Sequence, residues 1–205
     1  MAAPGAPSPP TTPPRPALSD IGTPYLVVLA LVAAMWVEEL VDLLPRTQFD
    51  GLGIRPRQVR GLAGIPLAPF LHDGFGHLLG NTIPFLVLGC LIAASGTQRF
   101  VQVFVISGLV AGIGTWLTAP AGTVHIGASG VVFGFLTYLI ARAAFERRLG
   151  HVLLALAVLA FYGGLLWGLL PRPGISWQGH LFGSIGGVAA AWVIHGRRKA
   201  PAEPA

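Results

Sequence analysis

The chain has 205 residues, of which 53% are hydrophobic and 10% are charged, and its mean hydropathy is +0.69. A soluble domain carries about 25% charged residues, so this composition excludes a protein whose whole surface faces water. The net charge of +5 argues against a nucleic-acid partner, because the basic residues lie between apolar stretches, where lipid headgroups would contact them. The composition therefore predicts a chain embedded in a lipid bilayer.

Along the chain, five stretches contain no Asp, Glu, Lys or Arg: residues 21–37, 74–98, 100–141, 149–171 and 173–196. A helix that crosses a bilayer needs about 20 apolar residues, and the longest stretch, interrupted by Pro and Gly at residues 118–123, holds two such helices. We expect an all-α polytopic membrane protein with six spans over residues 21–196 and a long loop at residues 45–74. A disordered Pro-rich tail (residues 1–20) and a basic tail (residues 197–205) flank this core.

The distribution of Lys and Arg predicts the orientation, because these residues accumulate in cytoplasmic loops. With the N-terminus inside, the inner segments hold eight of them and the outer segments five, four of which lie in the long loop. Both termini are therefore expected on the cytoplasmic side. With six spans and no targeting pattern in the first tail, the expected location is a prokaryotic plasma membrane.

Polar residues of the second, fourth and sixth predicted spans lie near the outer face. His77 and Asn81 open the second span on one helical face, Ser129 opens the fourth, and His180 lies about one turn into the sixth. Polar groups at this depth are costly in a bilayer and indicate function. The other histidines and the cysteine are interpreted as structural loop residues (His72, His125), interfacial residues (His151, His195) and a packing residue (Cys90).

Ser129 and His180 form a nucleophile and its base if the fourth and sixth spans touch. A serine needs a base to accept its proton, and a neutral histidine is the usual one. Small residues at four-residue spacing let membrane helices approach closely, and both spans contain them. Donors for a developing oxyanion are His77, Asn81 and the backbone N–H of Ser129. The small residues are Gly130 and Gly134 in the fourth span and Gly183 and Gly187 in the sixth.

Other membrane-hydrolase designs lack their residues in this sequence. All eight acidic residues lie at or beyond the span ends, which excludes an aspartyl dyad and a carboxylate that orients the histidine. The His-Glu pair of a zinc protease does not occur, and the single lysine, Lys199, lies in the C-terminal tail. We therefore expect a Ser-His dyad with neither a metal nor a cofactor.

These motifs resemble those of the rhomboid family of intramembrane serine proteases. The matching elements are His77-x-x-x-Asn81, Gly127-x-Ser129-Gly130 and His180-x-x-Gly183-x-x-x-Gly187, in that order over about residues 20–196. The resemblance implies a serine endopeptidase with Ser129 as nucleophile and His180 as general base and acid. It also implies that His77 and Asn81 contribute to the oxyanion hole, that Gly183 and Gly187 set the sixth span against the fourth, and that Gly127 and Gly130 support the nucleophile.

Three further positions are compared with the family pattern. Phe133 stands where many members carry a Tyr that stacks on the catalytic imidazole, so the ring face is retained without the hydroxyl. Ala63-Gly64 stand where many members have Trp-Arg, which affects the architecture of the first loop, and Arg57 and Arg60 are candidates to replace that pair. His72 matches a loop histidine of the family with a supporting role.

The resemblance implies cleavage of a peptide bond in or near the transmembrane helix of a membrane protein, after local unwinding of that helix. The fifth span and the loop after it are the family's candidate gate. Two other classes remain open: a catalytically silent rhomboid-like protein that binds membrane helices, and a small transporter or metal channel with His77, His125 and His180 as ligands. The sequence does not determine the substrate, the cleavage position or the oligomeric state.

Overall fold

The computed structural model describes residues 18–44 and 49–196. Within them lie seven α-helices: α1 (Leu18–Asp42), α2 (Gly64–Leu67), α3 (Phe75–Ala93), α4 (Thr97–Thr118), α5 (Ser129–Glu146), α6 (Leu149–Tyr162) and α7 (Trp177–His195). Three short 3-10 helices occupy Phe49–Leu52, Val59–Leu62 and Gly163–Leu169. The two predicted tails lie outside the described residues, except that α1 already begins at Leu18. A charge-free stretch marks only the apolar part of a membrane helix, and α1 continues beyond that part at both ends.

Five segments of the described chain are long and apolar enough to cross a membrane: α1 from Gly22, then α3, α4 and α5, and finally α6 together with the 3-10 helix that follows it. The predicted all-α membrane architecture is confirmed. The sixth predicted span, α7, is a helix of 19 residues, but its His, Gln and Gly residues lower its hydropathy. It packs chiefly against α5 and α4, and its polar residues Gln178, His180 and His195 are buried.

Short connections join most of the spanning helices, so consecutive helices alternate in direction. One end of the bundle, which we term the His77 end, carries the first residues of α3, α5 and α7 and the segment of residues 49–74. The opposite end, the Glu146 end, carries the last residues of the same three helices and the first residues of α4 and α6. The polar residues singled out in the sequence therefore lie at one end of the bundle.

Glycines form the contact between α5 and α7. A Cβ atom at Gly183 would overlap the carbonyl oxygen of Gly130, and one at Gly187 would overlap the carbonyl oxygen of Gly134. Helix backbones approach this closely only where side chains are absent. The small-residue pattern read from the sequence therefore corresponds to backbone contact between these two helices.

A buried polar cluster joins α5, α6 and α7 at the Glu146 end. The carboxylate of Glu146 lies 2.8 Å from Nδ1 of His195, 2.7 Å from Nδ1 of His151 and 3.5 Å from Nε of Arg142. The hydroxyl of Tyr138 is 3.0 Å from Nε2 of His195. His195, which the sequence placed at the inner end of a span, is 4% exposed, and both of its ring nitrogens find partners inside the protein.

Residues 49–74 fold onto the His77 end and bind the loop between α4 and α5. The backbones of Ile54 and His125 exchange two hydrogen bonds of 2.9 and 3.0 Å. Arg57 donates from Nη1 to the carbonyl oxygen of Ala119 at 2.8 Å, and the indole of Trp116 donates to the carbonyl oxygen of Gln58 at 2.9 Å. These bonds fix the loop to the end of α4.

The backbone around Gly64 explains why the loop has no large side chains at this point. A Cβ atom at Gly64 would overlap the backbone of Gly53, because two parts of the loop cross there. An arginine at this position would not fit in this loop. The guanidinium of Arg57, a residue whose backbone has a φ of 57°, anchors the segment through its bond to the carbonyl oxygen of Ala119.

Candidate active site

Ser129 is the first residue of α5, and a tight turn precedes it. Gly127 has a φ of +107°, a conformation that residues with side chains rarely adopt. A Cβ atom at Gly127 would also lie 2.7 Å from Nε2 of His77. The turn that presents Ser129 at the start of the helix therefore requires glycine at position 127.

His180 lies opposite Ser129, about one turn into α7. Its Nε2 atom is 2.8 Å from Oγ of Ser129, and its Nδ1 atom is 2.8 Å from the carbonyl oxygen of Gly168. A carbonyl oxygen can only accept, so Nδ1 carries the proton of the neutral ring and Nε2 accepts from the hydroxyl of Ser129. This is the arrangement of a serine nucleophile and its base, with the Gly168 carbonyl at the nitrogen that a carboxylate binds in a triad.

Phe133 and Gly168 confine the imidazole of His180. The ring of Phe133 stacks on it, with centroids 4.2 Å apart and an interplanar angle of 7°. A Cβ atom at Gly168 would lie 2.9 Å from Cζ of Phe133 and 3.0 Å from Nδ1 of His180. The imidazole is 9% exposed, so its orientation is set by these contacts rather than by solvent.

His77 and Asn81 present N–H groups toward the turn before Ser129. The backbone N–H of Asp73 is 3.4 Å from Nδ1 of His77, which leaves the proton of the neutral ring on Nε2, beside Gly127. The amide of Asn81 donates to the carbonyl oxygen of His77 at 3.1 Å, and its nitrogen would lie 3.8 Å from a Cβ atom at Gly127. Donors in such positions can stabilise negative charge on an oxygen next to the serine.

His72 binds the backbone residue that precedes Ser129. It is 2% exposed, its Nδ1 atom is 3.1 Å from the carbonyl oxygen of Phe70, and the N–H of Ala128 is 3.4 Å from its Nε2 atom. Burial, with a smaller contribution from the nearby His77, lowers the pKa of His72 to about 4. The ring is therefore neutral at physiological pH, as it must be to accept from Ala128.

A cavity of about 1310 Å³ lies at the His77 end and borders both Ser129 and His180. One wall consists of α3, and another consists of the 3-10 helix after α6. Binding sites for small molecules usually occupy about 300–1000 Å³, so this cavity is large enough for an extended peptide segment. A separate cavity of about 30 Å³ also borders Ser129. The first cavity is lined by Gly76, Gly80 and Pro84 of α3 and by Gly164, Leu165 and Trp167 of the 3-10 helix.

Two features of the site were not predicted from the sequence. The Gly168 carbonyl is a backbone group and leaves no signature in a side-chain pattern. The second feature is a contact of 2.7 Å between Nδ1 of His125 and Oγ of Ser176. The sequence contains a signal for this contact, because His125 precedes Ser129 by four residues and Ser176 precedes His180 by four.

The three histidines named as ligands of a metal channel do not form a common site. His125 and His180 are hydrogen-bonded to two different serines. Over residues 18–44 and 49–196, no group of three or more His, Cys, Asp or Glu side chains could hold a metal ion.

Comparison with known proteins converges on one family. The model of the Rhomboid domain matches residues 60–197. An uncharacterized protein of Mycobacterium tuberculosis strain H37Rv is 43% identical over 176 residues, which cover 82% of this chain and 73% of that protein. The Bacillus subtilis protein YdcA, named as a candidate rhomboid protease, is 36% identical over 121 residues, 57% of this chain and 59% of its own length. Rhomboid-like protein 11, chloroplastic, of Arabidopsis thaliana is 24% identical over 163 residues, 67% of this chain and 58% of its own length.

Proposed function

The chain belongs to the rhomboid family, and from that premise we propose that it is an intramembrane serine endopeptidase that uses Ser129 and His180. The observation that carries the proposal is the 2.8 Å contact between Oγ of Ser129 and Nε2 of His180. The proton on Nδ1 is held by the Gly168 carbonyl, so the lone pair of Nε2 is available to take the serine proton. Polar side chains inside a membrane protein are costly to bury and indicate function, and this pair lies beside a large cavity.

The reaction follows from these positions. Oγ of Ser129 attacks the carbonyl carbon of the scissile peptide bond while its proton passes to Nε2 of His180. The oxygen that becomes negative is stabilised by N–H groups of His77 and Asn81 and by the backbone N–H of Ser129 at the start of α5. His180 then protonates the leaving amine, which completes acylation of Ser129. In the deacylation step, His180 deprotonates the water that hydrolyses the acyl-enzyme.

The location of the cavity within a membrane bundle supports a transmembrane segment as the substrate. A peptide bond inside a helix is hydrogen-bonded and shielded by side chains, so a substrate helix must unwind before Ser129 can reach it. We place its access route between α3 and the 3-10 helix, because glycines and Pro84 line one wall there. Transmembrane segments with Gly, Pro or polar residues near one end are the expected substrates.

The orientation is part of the same proposal. Both termini of the described chain lie at the Glu146 end, and we place this end in the cytoplasm, so that the dyad opens toward the outer face. A cysteine appended to the C-terminus of a Cys90→Ala variant should resist a membrane-impermeant maleimide in intact cells and react after lysis. Reaction in intact cells at the lysed-cell rate would reverse this orientation.

The function is tested with purified protein in lipid vesicles containing a single-span substrate. The unmodified chain should cleave several such substrates, and Ser129→Ala and His180→Asn should each lower kcat by at least about 10⁴-fold. Ser184→Ala is the matched control, because this serine lies on α7 and its hydroxyl only donates to the backbone of His180, at 2.9 Å. Cleavage by Ser129→Ala at the unmodified rate, or no cleavage of any substrate by the unmodified chain, would refute the proposal.

A further inference from the structure

The His77 end contains a second serine–histidine pair, formed by Ser176 and His125. Ser176 directly precedes α7, and His125 lies in the loop before α5. Nδ1 of His125 is 2.7 Å from Oγ of Ser176, and its Nε2 atom is 2.8 Å from Oγ1 of Thr123. The pair joins the same two parts of the chain as Ser129 and His180, but the serine and the histidine have exchanged sides.

The hydrogen bonds determine which nitrogen of His125 is the base. The hydroxyl of Thr123 donates to the carbonyl oxygen of Pro120 at 2.7 Å, so its oxygen accepts from Nε2–H of His125. Nδ1 is then unprotonated and accepts from the hydroxyl of Ser176. Burial lowers the pKa of His125, which keeps this ring neutral at physiological pH. The hydroxyl of Ser176 is therefore hydrogen-bonded to an unprotonated nitrogen of His125, and Thr123 holds the other ring nitrogen in place.

The surroundings of Ser176 allow it to react. Ser176 and His125 both border the cavity of about 1310 Å³, so small molecules in that cavity can reach the hydroxyl. The Ser176 side chain makes no capping bond to α7, and its hydroxyl is committed to His125 instead. The first N–H groups of α7 and the positive end of the helix lie directly after it, where they favour negative charge on an attacked group.

We propose that Ser176 is a second activated serine, which takes a small phosphonyl or acyl group from an activated compound with His125 as its base. With an alkyl fluorophosphonate, Oγ of Ser176 attacks phosphorus, the P–F bond breaks and fluoride leaves. The serine proton passes to Nδ1 of His125, and the product is a phosphonate ester of Ser176. The step uses neither Ser129 nor His180, so it stands apart from the proposed peptidase activity.

The test uses the full chain with Ser129→Ala, which removes the first serine. After incubation with an alkyl fluorophosphonate, intact mass and peptide mapping should show one adduct, on Ser176. The adduct should be absent from Ser129→Ala/Ser176→Ala. It should form about 100-fold more slowly in Ser129→Ala/His125→Gln, because glutamine can accept the hydrogen bond but cannot take the proton.

A second variant and an internal control distinguish activation by His125 from general labelling of exposed serines. Thr123→Val in the Ser129→Ala chain keeps Ser176 and His125 but removes the anchor of the ring, and should slow the labelling of Ser176 about 10-fold. Ser184 lies on the same helix and donates to a backbone carbonyl, so it should stay unlabelled. No adduct on the Ser129→Ala chain, equal labelling of Ser184, or an unchanged rate in the His125→Gln variant would each overturn the proposal.

Discussion

Replacing Gly168 by alanine should impair catalysis without removing any side chain of the site. The added methyl group would lie 2.9 Å from Cζ of Phe133 and 3.0 Å from Nδ1 of His180. Ordinary contacts of a Cβ atom begin near 3.4 Å, so the imidazole must move by about 0.4 Å. That movement strains the 2.8 Å bond that keeps the proton on Nδ1.

The size of the effect follows from two limits. A displacement of about 1 Å at a reacting group can lower the rate about 100-fold, and loss of the group that sets the histidine tautomer can lower it about 10⁴-fold. A shift of about 0.4 Å that weakens the Gly168 bond should therefore reduce kcat about 10- to 100-fold. This corresponds to about 1.4–2.7 kcal/mol in activation free energy.

The assay is cleavage of a single-span substrate in lipid vesicles, with kcat and KM measured separately. Gly163→Ala is the matched control, because Gly163 lies in the same 3-10 helix and a Cβ atom there has nothing within 4 Å. Gly168→Ala should lower kcat with little change in KM, and Gly163→Ala should leave both constants unchanged. Equal kcat values for the two variants would refute the role assigned to the Gly168 contact.

Three further predictions concern stability, measured by thermal unfolding in detergent. Gly187→Ala should lower the free energy of unfolding by about 1–3 kcal/mol. Gly150→Ala is the control and should not lower it, because a Cβ atom there has open space. Equal losses of stability in the two variants would contradict the close contact between α5 and α7. Glu146→Gln should cost about 3 kcal/mol, because Arg142 loses its carboxylate in a buried cluster, and an unchanged melting temperature would contradict this. The pKa of His72 is about 4 in the folded chain, against an ordinary value of 6.5. As the pH falls, the imidazole of His72 is therefore protonated in the unfolded chain before it is protonated in the folded chain. Stability should therefore fall by up to about 3 kcal/mol as the pH drops from 6.5 toward 4, and a His72→Gln variant with the same pH dependence would refute this assignment.

The fold and the positions of the main candidate site residues could be predicted because a membrane restricts where polar groups can lie. Charge-free stretches located the helices, and the alternation of helix direction brought Ser129 and His180 to one end of the bundle. The contact between α5 and α7 could be expected because glycines recur at four-residue spacing in both helices. These are all properties of periodicity and depth, which a sequence records directly.

The remaining features depend on tertiary contacts that a linear pattern does not contain. The Gly168 carbonyl reaches His180 only because the 3-10 helix after α6 turns back toward α7. The burial of His195 depends on the carboxylate of Glu146, which belongs to a different helix. The contact between His125 and Ser176 arises between two loops that are 51 residues apart in sequence.

The low hydropathy of α7 has a consequence for the synthesis of the protein. The helix packs chiefly against α4 and α5, and its polar Gln178 and His180 are buried in the folded protein. Before it docks, this segment is therefore poorly suited to a lipid environment. Its two packing partners, α4 and α5, precede α7 in the chain and are synthesised before it. We expect membrane insertion of α7 to be coupled to its docking on these two helices. Ser129 can meet His180 only after α7 has docked, so a chain that lacks α7 does not contain the assembled Ser129–His180 pair.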